Sequence, residues 1–596
     1  MPKKFLKILI SLFACATLSV GALACGDTES DSTTSSNTPS AESSVAISSE
    51  EASSLENSSV EESSEEASSS EEGSSETEGH THVFNETTSM PETCLQPSYR
   101  ISACTCGEST VLEVLAPLGH SVENGICTRC EKPESTGLKF SADGDGYALV
   151  GKGVCQDTDI IVPSTYLGKE VVSIGKEAFR EENTIKSVYL PSSVKTVSEA
   201  SFWNCTKLKD VWIDGATSVS ARAIDRCPLL RSVSFGEGVE GVSENAVAEC
   251  PIVEGIFAVE GNDSYCSVNG VLYTEDMTTL MQYASGGRVT EFVIPDSVTK
   301  IAQNAFAYNQ TLKNVALPSS LEEVSAFAFY RSVIESVEFP ETLKTIGENA
   351  FGYCLGLHGA LTLPEGLQSI GGYAFVGCEE LTGLLTIPDS VISIGEFAFF
   401  ECFKLQWLTL GEKVETIGTN AFYYCYNLSG TLTIPDSVTG ISPYAFAWCY
   451  GLQSVTFGAK VATIGEYAFY YCTELGGELA LPEVLTTIGD YAFSYTKVTT
   501  ISGGDGLEGI GGYAFEKCSR LKTVYLGESL RSIAKYAFNG CSSLSSVTFA
   551  VTEGWRVADF ADMVESTAVK SADLSTTSKA AKQLRATNNA KFWKRS

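Results

Sequence analysis

The chain has 596 residues, 20 cysteines, four histidines and a formal net charge of −34. This acidity argues against nucleic acid as a partner, because phosphates need a basic surface. It also argues against an electrostatic hold on anionic lipid. The length alone predicts more than one domain.

Residues 1–24 have the pattern of an export signal peptide. Three lysines precede an apolar run that ends in "GALAC". Two interpretations of this ending stay open, and in both of them the signal peptide is cleaved immediately before Cys25. A cysteine at the cut, followed by a long spacer, favours lipid on Cys25 and therefore a cell-surface protein whose only link to the membrane is that lipid. Ordinary cleavage at the A-x-A pattern predicts a secreted protein instead.

Residues 25–79 are dominated by Ser, Glu, Thr and Ala, and from Gly26 onward they include no aromatic residue, Lys or Arg. Such a segment buries too little apolar surface to offset its chain entropy, so we predict a disordered spacer. It is either a stalk that holds the rest of the chain away from a membrane or a solubilising linker.

Residues 80–135 form a small module rich in Cys and His, which we call the Cys/His module. A C-x-C pair, Cys104 and Cys106, precedes a C-x-x-C pair, Cys127 and Cys130. These four thiols are the ligands that we predict for a structural zinc ion. Disulfide bonds are the open alternative in an exported chain. No H-E-x-x-H sequence suggests a catalytic water.

From about residue 171 to 550 a phrase that contains "AF" recurs every 22 to 24 residues, and the step breaks only between Val247 and Phe306. Such a period indicates a solenoid. The part "L-x-x-V-x-L" predicts a strand of a parallel sheet, and "I-G-x-x-A-F-x-x-C" predicts a short helical turn. The chain is therefore predicted to be an α/β solenoid with an entry segment at 136–170 and a C-terminal cap at 551–596. The "VNGVLY" sequence predicts a β-hairpin inserted near 257–290.

We call the Phe of each "AF" the marker Phe. A cysteine follows this marker by three residues in most repeats. Because this position recurs once per repeat beside core residues, we predict free and buried thiols, with disulfides between repeats as the alternative. The positions are Cys205, Cys227, Cys250, Cys354, Cys378, Cys402, Cys425, Cys449, Cys472, Cys518 and Cys541.

These motifs resemble the BspA-type leucine-rich repeat surface proteins of bacteria, over about residue 138 to the C-terminus. The resemblance implies a right-handed array with a concave parallel sheet. It also implies a surface protein that adheres to proteins or glycans of a host or a neighbouring cell. The C-terminal "GWRVADFADM…NNAKFWKRS" resembles a cap of that family.

The repeat array holds one histidine, His358, which excludes histidine-based catalysis spread over several repeats. We predict a non-catalytic protein with no cofactor in the array. Two other hypotheses stay open. One is a carbohydrate-active or cell-wall-remodelling enzyme that uses carboxylates on the concave face. The other is a passive structural spacer.

Two columns of side chains are candidates for contact with a ligand. The first is the outward-facing strand position, although Thr is also common at any exposed strand site. It comprises Tyr189, Trp212, Thr362, Thr386, Thr409, Thr433, Thr456 and Tyr525. The second is an aromatic column two residues after the marker, which packing between repeats explains equally well. It comprises Tyr308, Tyr353, Tyr424, Trp448, Tyr471 and Tyr495.

Overall fold

The computed structural model describes residues 84–89, 93–104, 109–286 and 289–596. The predicted signal peptide, the spacer and the lipid attachment at Cys25 lie outside these residues. Among the helices of the described ranges, not one combines the length and the apolar composition that a membrane span requires.

The Cys/His module contains an antiparallel three-stranded sheet followed by a short hairpin. The sheet strands are Phe84–Ser89, Ser98–Cys104 and Ser109–Leu115, and the hairpin strands are Val122–Glu123 and Ile126–Cys127. Asn124 and Gly125 connect the hairpin with φ values of 52° and 77°. Both are residue types that adopt positive φ readily, and a tight hairpin turn requires it.

The repeats begin after an entry segment in which Lys139–Asp143 and Gly146–Gly151 form a hairpin. Gly146–Gly151 then pairs in parallel with Lys169–Ile174, so this hairpin covers the open edge of the first coil. A short strand, Thr165–Tyr166, pairs with the beginning of Lys169–Ile174.

Most coils contribute one strand to what we call the main sheet, which is parallel and broken into segments, and two coils near residues 336 and 359 contribute only isolated bridges. The register advances by one repeat, since Val188 pairs with Val211 and Val211 pairs with Val233. Its strands are Asp159–Ile161, Ser187–Leu190, Asp210–Ile213, Ser232–Phe235, Gly255–Ala258, Glu291–Val293, Asn314–Ala316, Leu384–Thr386, Trp407–Thr409, Gly430–Thr433, Leu452–Thr456, Gly476–Leu481, Lys497–Gly503, Thr523–Leu526 and Ser546–Phe549.

A second parallel column, the short-strand sheet, is formed by strands of mostly two residues, most of which end at the Ile or Val that occupies the "I" position of "I-G". These strands are Lys169–Ile174, Thr196–Val197, Ser218–Val219, Thr279–Gln282, Lys300–Ile301, Glu323–Val324, Thr345–Ile346, Ser369–Ile370, Ser393–Ile394, Thr416–Ile417, Gly440–Ile441, Thr463–Ile464, Thr487–Ile488, Gly509–Ile510 and Ser532–Ile533. Three early coils add a third column, Phe202–Trp203, Ile224–Asp225 and Val247–Ala248.

The predicted solenoid is confirmed, but the predicted helical turn in each repeat is wrong. In "IGEYAFYYC", Tyr470 N–H donates to the carbonyl of Tyr467 at 3.0 Å, which closes a turn. Phe469 N–H instead donates to Ala492 of the next coil at 2.8 Å. Tyr467 and Tyr471 have φ values of 56° and 59°, which no α-helix tolerates. The apolar spacing matches a helix, yet the stacked neighbour takes the N–H groups that a helix would use internally.

The marker phenylalanines from Phe306 to Phe538 form a continuous stack through the core. Phe399 and Phe422 are fully buried, with ring centroids 5.3 Å apart and planes 5° apart, and Phe422 repeats this contact with Phe446 at 5.4 Å. One repeat alone would leave its ring half covered, whereas stacking covers both faces. The fold therefore depends on contacts between coils more than on contacts within one coil.

The recurring cysteine completes the hydrogen bonding of the marker carbonyl. The carbonyl oxygen of Phe351 accepts the N–H of Cys354 in its own coil and the thiol of Cys378 in the next coil, each at 3.2 Å. All eleven thiols are free and buried, as predicted. The thiol-to-carbonyl bond, at 2.9 to 3.3 Å, is made by Cys205, Cys227, Cys354, Cys378, Cys402, Cys425, Cys449, Cys472, Cys518 and Cys541.

Replacement of one such cysteine should show how much stability comes from the small size of the side chain and how much from its hydrogen bond to the carbonyl. Cys402→Ser keeps a donor for the carbonyl of Phe375, and Ser332 already fills this slot in another repeat. We expect it to cost less than about 1 kcal/mol of unfolding free energy. Cys402→Val removes the donor and overfills the slot, and should cost about 1–3 kcal/mol. Urea unfolding measures both, and a larger loss for Ser than for Val would contradict this role of the thiol.

The predicted β-hairpin insert is confirmed. Tyr265–Val268 pairs antiparallel with Val271–Thr274 through Asn269 and Gly270, both at positive φ. Val271–Thr274 then pairs with Thr279–Gln282, which continues the short-strand sheet. The insert thus begins the nine-stranded segment of the short-strand sheet that continues through the following coils.

The last coil is closed by a small mixed segment. The strand Phe592–Arg595 pairs antiparallel with Ser532–Ile533 of the short-strand sheet and with Trp555–Ala558, and Thr567–Ala568 extends the group. Three short helices precede the final strand, at Ser571–Leu574, Thr577–Lys582 and, as a π-helix, Gln583–Thr587. This segment covers the hydrophobic end and the exposed sheet edge.

Candidate metal centre and outward face of the main sheet

Four potential metal ligands converge in the Cys/His module. One ligand atom each from Cys94, His120, Cys127 and Cys130 lies within 4.8 Å of every other. Cys130 Sγ and His120 Nδ1 are 3.4 Å apart. Tetrahedral zinc–thiolate bonds of about 2.3 Å separate neighbouring ligand atoms by about 3.8 Å, so the four atoms fit such a sphere after a small contraction.

Two of the four predicted ligands, Cys127 and Cys130, belong to this cluster. Its other two members, Cys94 and His120, were not among the predicted ligands. Cys104 ends a strand of the three-stranded sheet, and Cys106 lies outside the described residues. Ligand spacing along the sequence favoured the C-x-C pair, whereas the chain path brings two single residues to the knuckle. The Gly119–His120 pair just before the hairpin is the sequence feature that could have identified His120 as a ligand.

Hydrogen bonds to backbone carbonyls join the segments that carry the ligands. Leu118 N–H donates to the carbonyl of Thr93 at 3.0 Å, which ties the turn that carries Cys94 to the segment that carries His120. Arg129 Nη1 donates to the carbonyl of Gly119 at 2.9 Å, which ties the knuckle to the same segment. Burial is the largest cause that lowers the pKa of His120 to about 4, so its imidazole is neutral at pH 7 and able to ligate.

The module lies against the outward side of the first coils, and this changes the predicted ligand surface. Tyr189 and Trp212 are only 4% exposed, because they pack with Ile161 against Leu95 and Val122. The rings do point outward from the sheet, as predicted, but the module covers them. These two residues are therefore not free to meet a ligand while the module is in place.

The middle of the main sheet is open. The threonines of the outward column are exposed from Thr362 to Thr456, and Thr386 pairs with Thr409 on adjacent strands. Two positions earlier on the same strands, Leu384 and Trp407 are also cross-strand partners, and they are 47% and 50% exposed. The remaining members of this column are Thr362, Thr433 and Thr456, together with Tyr525, which is half-buried and donates its hydroxyl to Asp505 Oδ1 at 2.8 Å.

Trp407 and Leu384 were missed by the sequence reading. A large apolar side chain beside an outward threonine is the signal that could have found them. Both lie on the same side of the strands as Thr386 and Thr409, so these four side chains form an uncharged patch. We call it the central patch.

The predicted aromatic column is built into the surface of the solenoid. Its rings are half-buried and contact one another across coils, with centroids 4.6 Å apart for Trp448 and Tyr471 and 4.3 Å apart for Tyr471 and Tyr495. Tyr424 meets Trp448 edge to face at 5.5 Å. In the earlier coils, Tyr330 lies between Tyr308 and Tyr353. The packing between repeats therefore accounts for this column.

A second aromatic ladder lies two residues before the marker and was not anticipated. Its longest run stacks with centroids 4.6 to 4.9 Å apart, and every member has positive φ. The run consists of Tyr444, Tyr467, Tyr491, Tyr513 and Tyr536. The recurrence of Tyr in "I-G-x-Y-A-F" is the sequence feature that could have predicted this ladder.

One carboxyl group interrupts the first aromatic column. Glu401 takes the position two residues after its marker, has φ 62° and is only 4% exposed. Its Oε1 has no hydrogen-bond partner. Burial, followed by the like charge of Glu379, raises the pKa of Glu401 to about 7. A buried carboxylate without a partner is costly when it is ionised, so this position should disfavour the charged form.

The coil geometry defines a leucine-rich repeat solenoid, and the comparisons place it in a family. The family described as BspA type leucine-rich repeat region matches residues 155–262, 282–384, 358–476 and 476–553, more than half of the chain. The chain belongs to the BspA-type leucine-rich repeat family. No curated protein is similar enough to match it.

Solved structures of bacterial leucine-rich repeat proteins are also similar to the chain. One from Bacteroides ovatus is 24% identical, with 70% of this chain and 93% of that chain covered and a TM-score of 0.43. One from Eubacterium ventriosum is 18% identical, with 56% and 93% covered and a TM-score of 0.40. A leucine-rich cell surface protein from Faecalibacterium prausnitzii is 20% identical, with 71% and 96% covered and a TM-score of 0.29.

Proposed function

We propose that this protein is a non-catalytic surface protein whose solenoid binds another protein and so mediates adhesion to a host or neighbouring cell. The observation that carries the proposal is the central patch. An exposed Trp beside exposed apolar and uncharged side chains, on a rigid parallel sheet, is the kind of surface at which protein partners gain most of their binding energy. Attachment to the membrane through lipid on Cys25 is part of the proposal.

The chemistry of the described array favours binding over catalysis. His358 is exposed and its Nδ1 contacts the carbonyl of Gly356, so it serves a local turn. The recurring cysteines are buried as hydrogen-bond donors to backbone carbonyls, and burial raises the pKa of Cys354 to about 12. A thiol with so high a pKa is a poor nucleophile at neutral pH.

Trp407→Ala should weaken partner binding at least tenfold, because truncation of a central aromatic anchor typically costs more than about 1.4 kcal/mol. The measurement is binding of the mature chain, from Cys25 onward, to a panel of extracellular-matrix proteins and peptidoglycan. Phe560→Ala is the matched control, since Phe560 is an exposed aromatic residue in the C-terminal cap and away from the main sheet. This control should bind like the wild-type chain.

The outcomes of that assay separate the hypotheses. Saturable binding to a matrix protein that Trp407→Ala weakens supports the proposal. Binding to peptidoglycan alone would replace the protein ligand with a glycan. Turnover of peptidoglycan would overturn the non-catalytic role, and no saturable binding at all would leave a structural spacer.

A further inference from the structure

We propose that Cys94, His120, Cys127 and Cys130 bind one zinc ion, and that this ion holds the Cys/His module on the first coils of the main sheet. The site does not depend on the proposed adhesive function. It assigns a metal to this module and makes exposure of the covered aromatic surface depend on that metal.

The ligand set is the first argument. Three thiols and one imidazole are a frequent combination for structural zinc, and four protein ligands leave no open position for a reacting water. The thiols are free, and the ligand atoms lie within 4.8 Å of one another without belonging to one helix or strand. The fold thus brings thiols and an imidazole from separate segments to one point, which is how structural zinc sites are formed in proteins.

The small size of the module is the second argument. Its described segments from Thr93 to Pro97 and from Leu115 to Ser135 are mostly turns, with one hairpin of two-residue strands. Domains this small seldom bury enough apolar surface to hold such loops, and a metal commonly supplies the missing stability. Here the ion would join the Thr93–Pro97 turn to the hairpin and its knuckle.

The third argument is that the ligands are adjacent to the residues that contact the sheet. The ring of His120 meets Tyr189 edge to face at 5.1 Å. Gly119, with φ 72°, lies so close to Trp212 that an added Cβ would be 2.5 Å from the indole. Leu95, the neighbour of Cys94, accepts a hydrogen bond at its carbonyl from Ser232 Oγ at 3.3 Å.

Loss of the ion should therefore loosen the cover. The contacts to Tyr189 and Trp212 come from residues next to the ligands. The end of the module is held to the first coil separately, by the ion pair of Lys132 with Asp159 at 2.9 Å and by the N–H of Ser135, which donates to the carbonyl of Ile161 at 2.8 Å. The ion is therefore expected to hold the Thr93–Pro97 turn and the His120 segment in particular. An uncovered Tyr189 and Trp212 would extend the outward face of the main sheet toward its N-terminal end. The module is thus both a metal site and a metal-dependent cover.

The test uses the mature chain purified under reducing conditions. We expect one equivalent of zinc per chain, replacement by cobalt(II) with the absorption bands of tetrahedral thiolate coordination, and a red shift of tryptophan fluorescence on chelation. Trp212→Phe should abolish most of that shift. Cys130→Ser should lose the metal, whereas His120→Cys should keep it, because four thiolates also bind zinc. Cys266→Ser, in the inserted hairpin, is the matched control and should retain full occupancy.

Several results would overturn the proposal. Zinc and cobalt binding far below one equivalent in the reduced wild-type chain would remove the site, as would a native disulfide among Cys94, Cys127 and Cys130. Equal loss of metal in Cys130→Ser and Cys266→Ser would show that binding is not specific to this cluster. Metal binding without any fluorescence change on chelation would overturn the role as a cover.

Discussion

Phe422→Ala is expected to lower the free energy of unfolding by about 3–5 kcal/mol. Phe422 is fully buried and stacks on Phe399 and Phe446, so its removal breaks two contacts between coils at once. In a repeat array, stability comes from interfaces between neighbours. The loss should therefore extend to both adjacent coils, and hydrogen exchange should accelerate over about residues 395–450.

Trp407→Ala is the control for this experiment. It also removes a large aromatic side chain, but Trp407 is half exposed on the outward face. We expect it to change stability by less than about 1 kcal/mol. Phe422→Leu, which keeps most of the volume, should fall between the two. Urea unfolding followed by circular dichroism measures all three, and a similar small loss for Phe422→Ala and Trp407→Ala would contradict the stacked core.

Glu401→Gln is expected to stabilise the protein at pH 8 and to have little effect near pH 4. The folded-state pKa of Glu401 is raised to about 7 by burial, from an ordinary value near 4.5. The folded protein therefore binds this proton more tightly than the unfolded chain. Stability falls as the pH rises from about 4.5 through 7, and above 7 the buried charge carries its full cost. That cost is about 3 kcal/mol for a shift of this size.

The difference between wild type and variant isolates this one group from the other acids. Melting temperatures at pH 4, 6 and 8 should show a gap that opens with pH in favour of Glu401→Gln. Glu379→Gln is the matched control, since Glu379 is exposed and contributes only the second cause of the shift. It should reproduce a minor part of the gap. A Glu401→Gln variant that is less stable than wild type at pH 8 would show that the carboxylate has a partner in solution.

The patterns that predicted best are those that repeat. A side chain such as Phe422 or Cys402 recurs once per coil, so its direction is the same in every coil and its burial follows from the sequence spacing. The prediction of a helical turn in each repeat was wrong for a related reason. Spacing of apolar residues indicates which side chains face inward, but it does not reveal that backbone N–H groups such as that of Phe469 bond to the next coil.

The sequence by itself determined the stacked coils, the buried thiols, the inserted hairpin and the outward direction of Tyr189, Trp212 and the threonine column, because each follows from a local pattern or from periodicity. Only the tertiary structure decided which outward residues are exposed and which ligands meet in the Cys/His module. Those depend on where one segment folds back over another. Contacts between residues far apart in the chain, such as Gly119 with Trp212 or Cys94 with Cys127, leave no periodic trace in a single sequence.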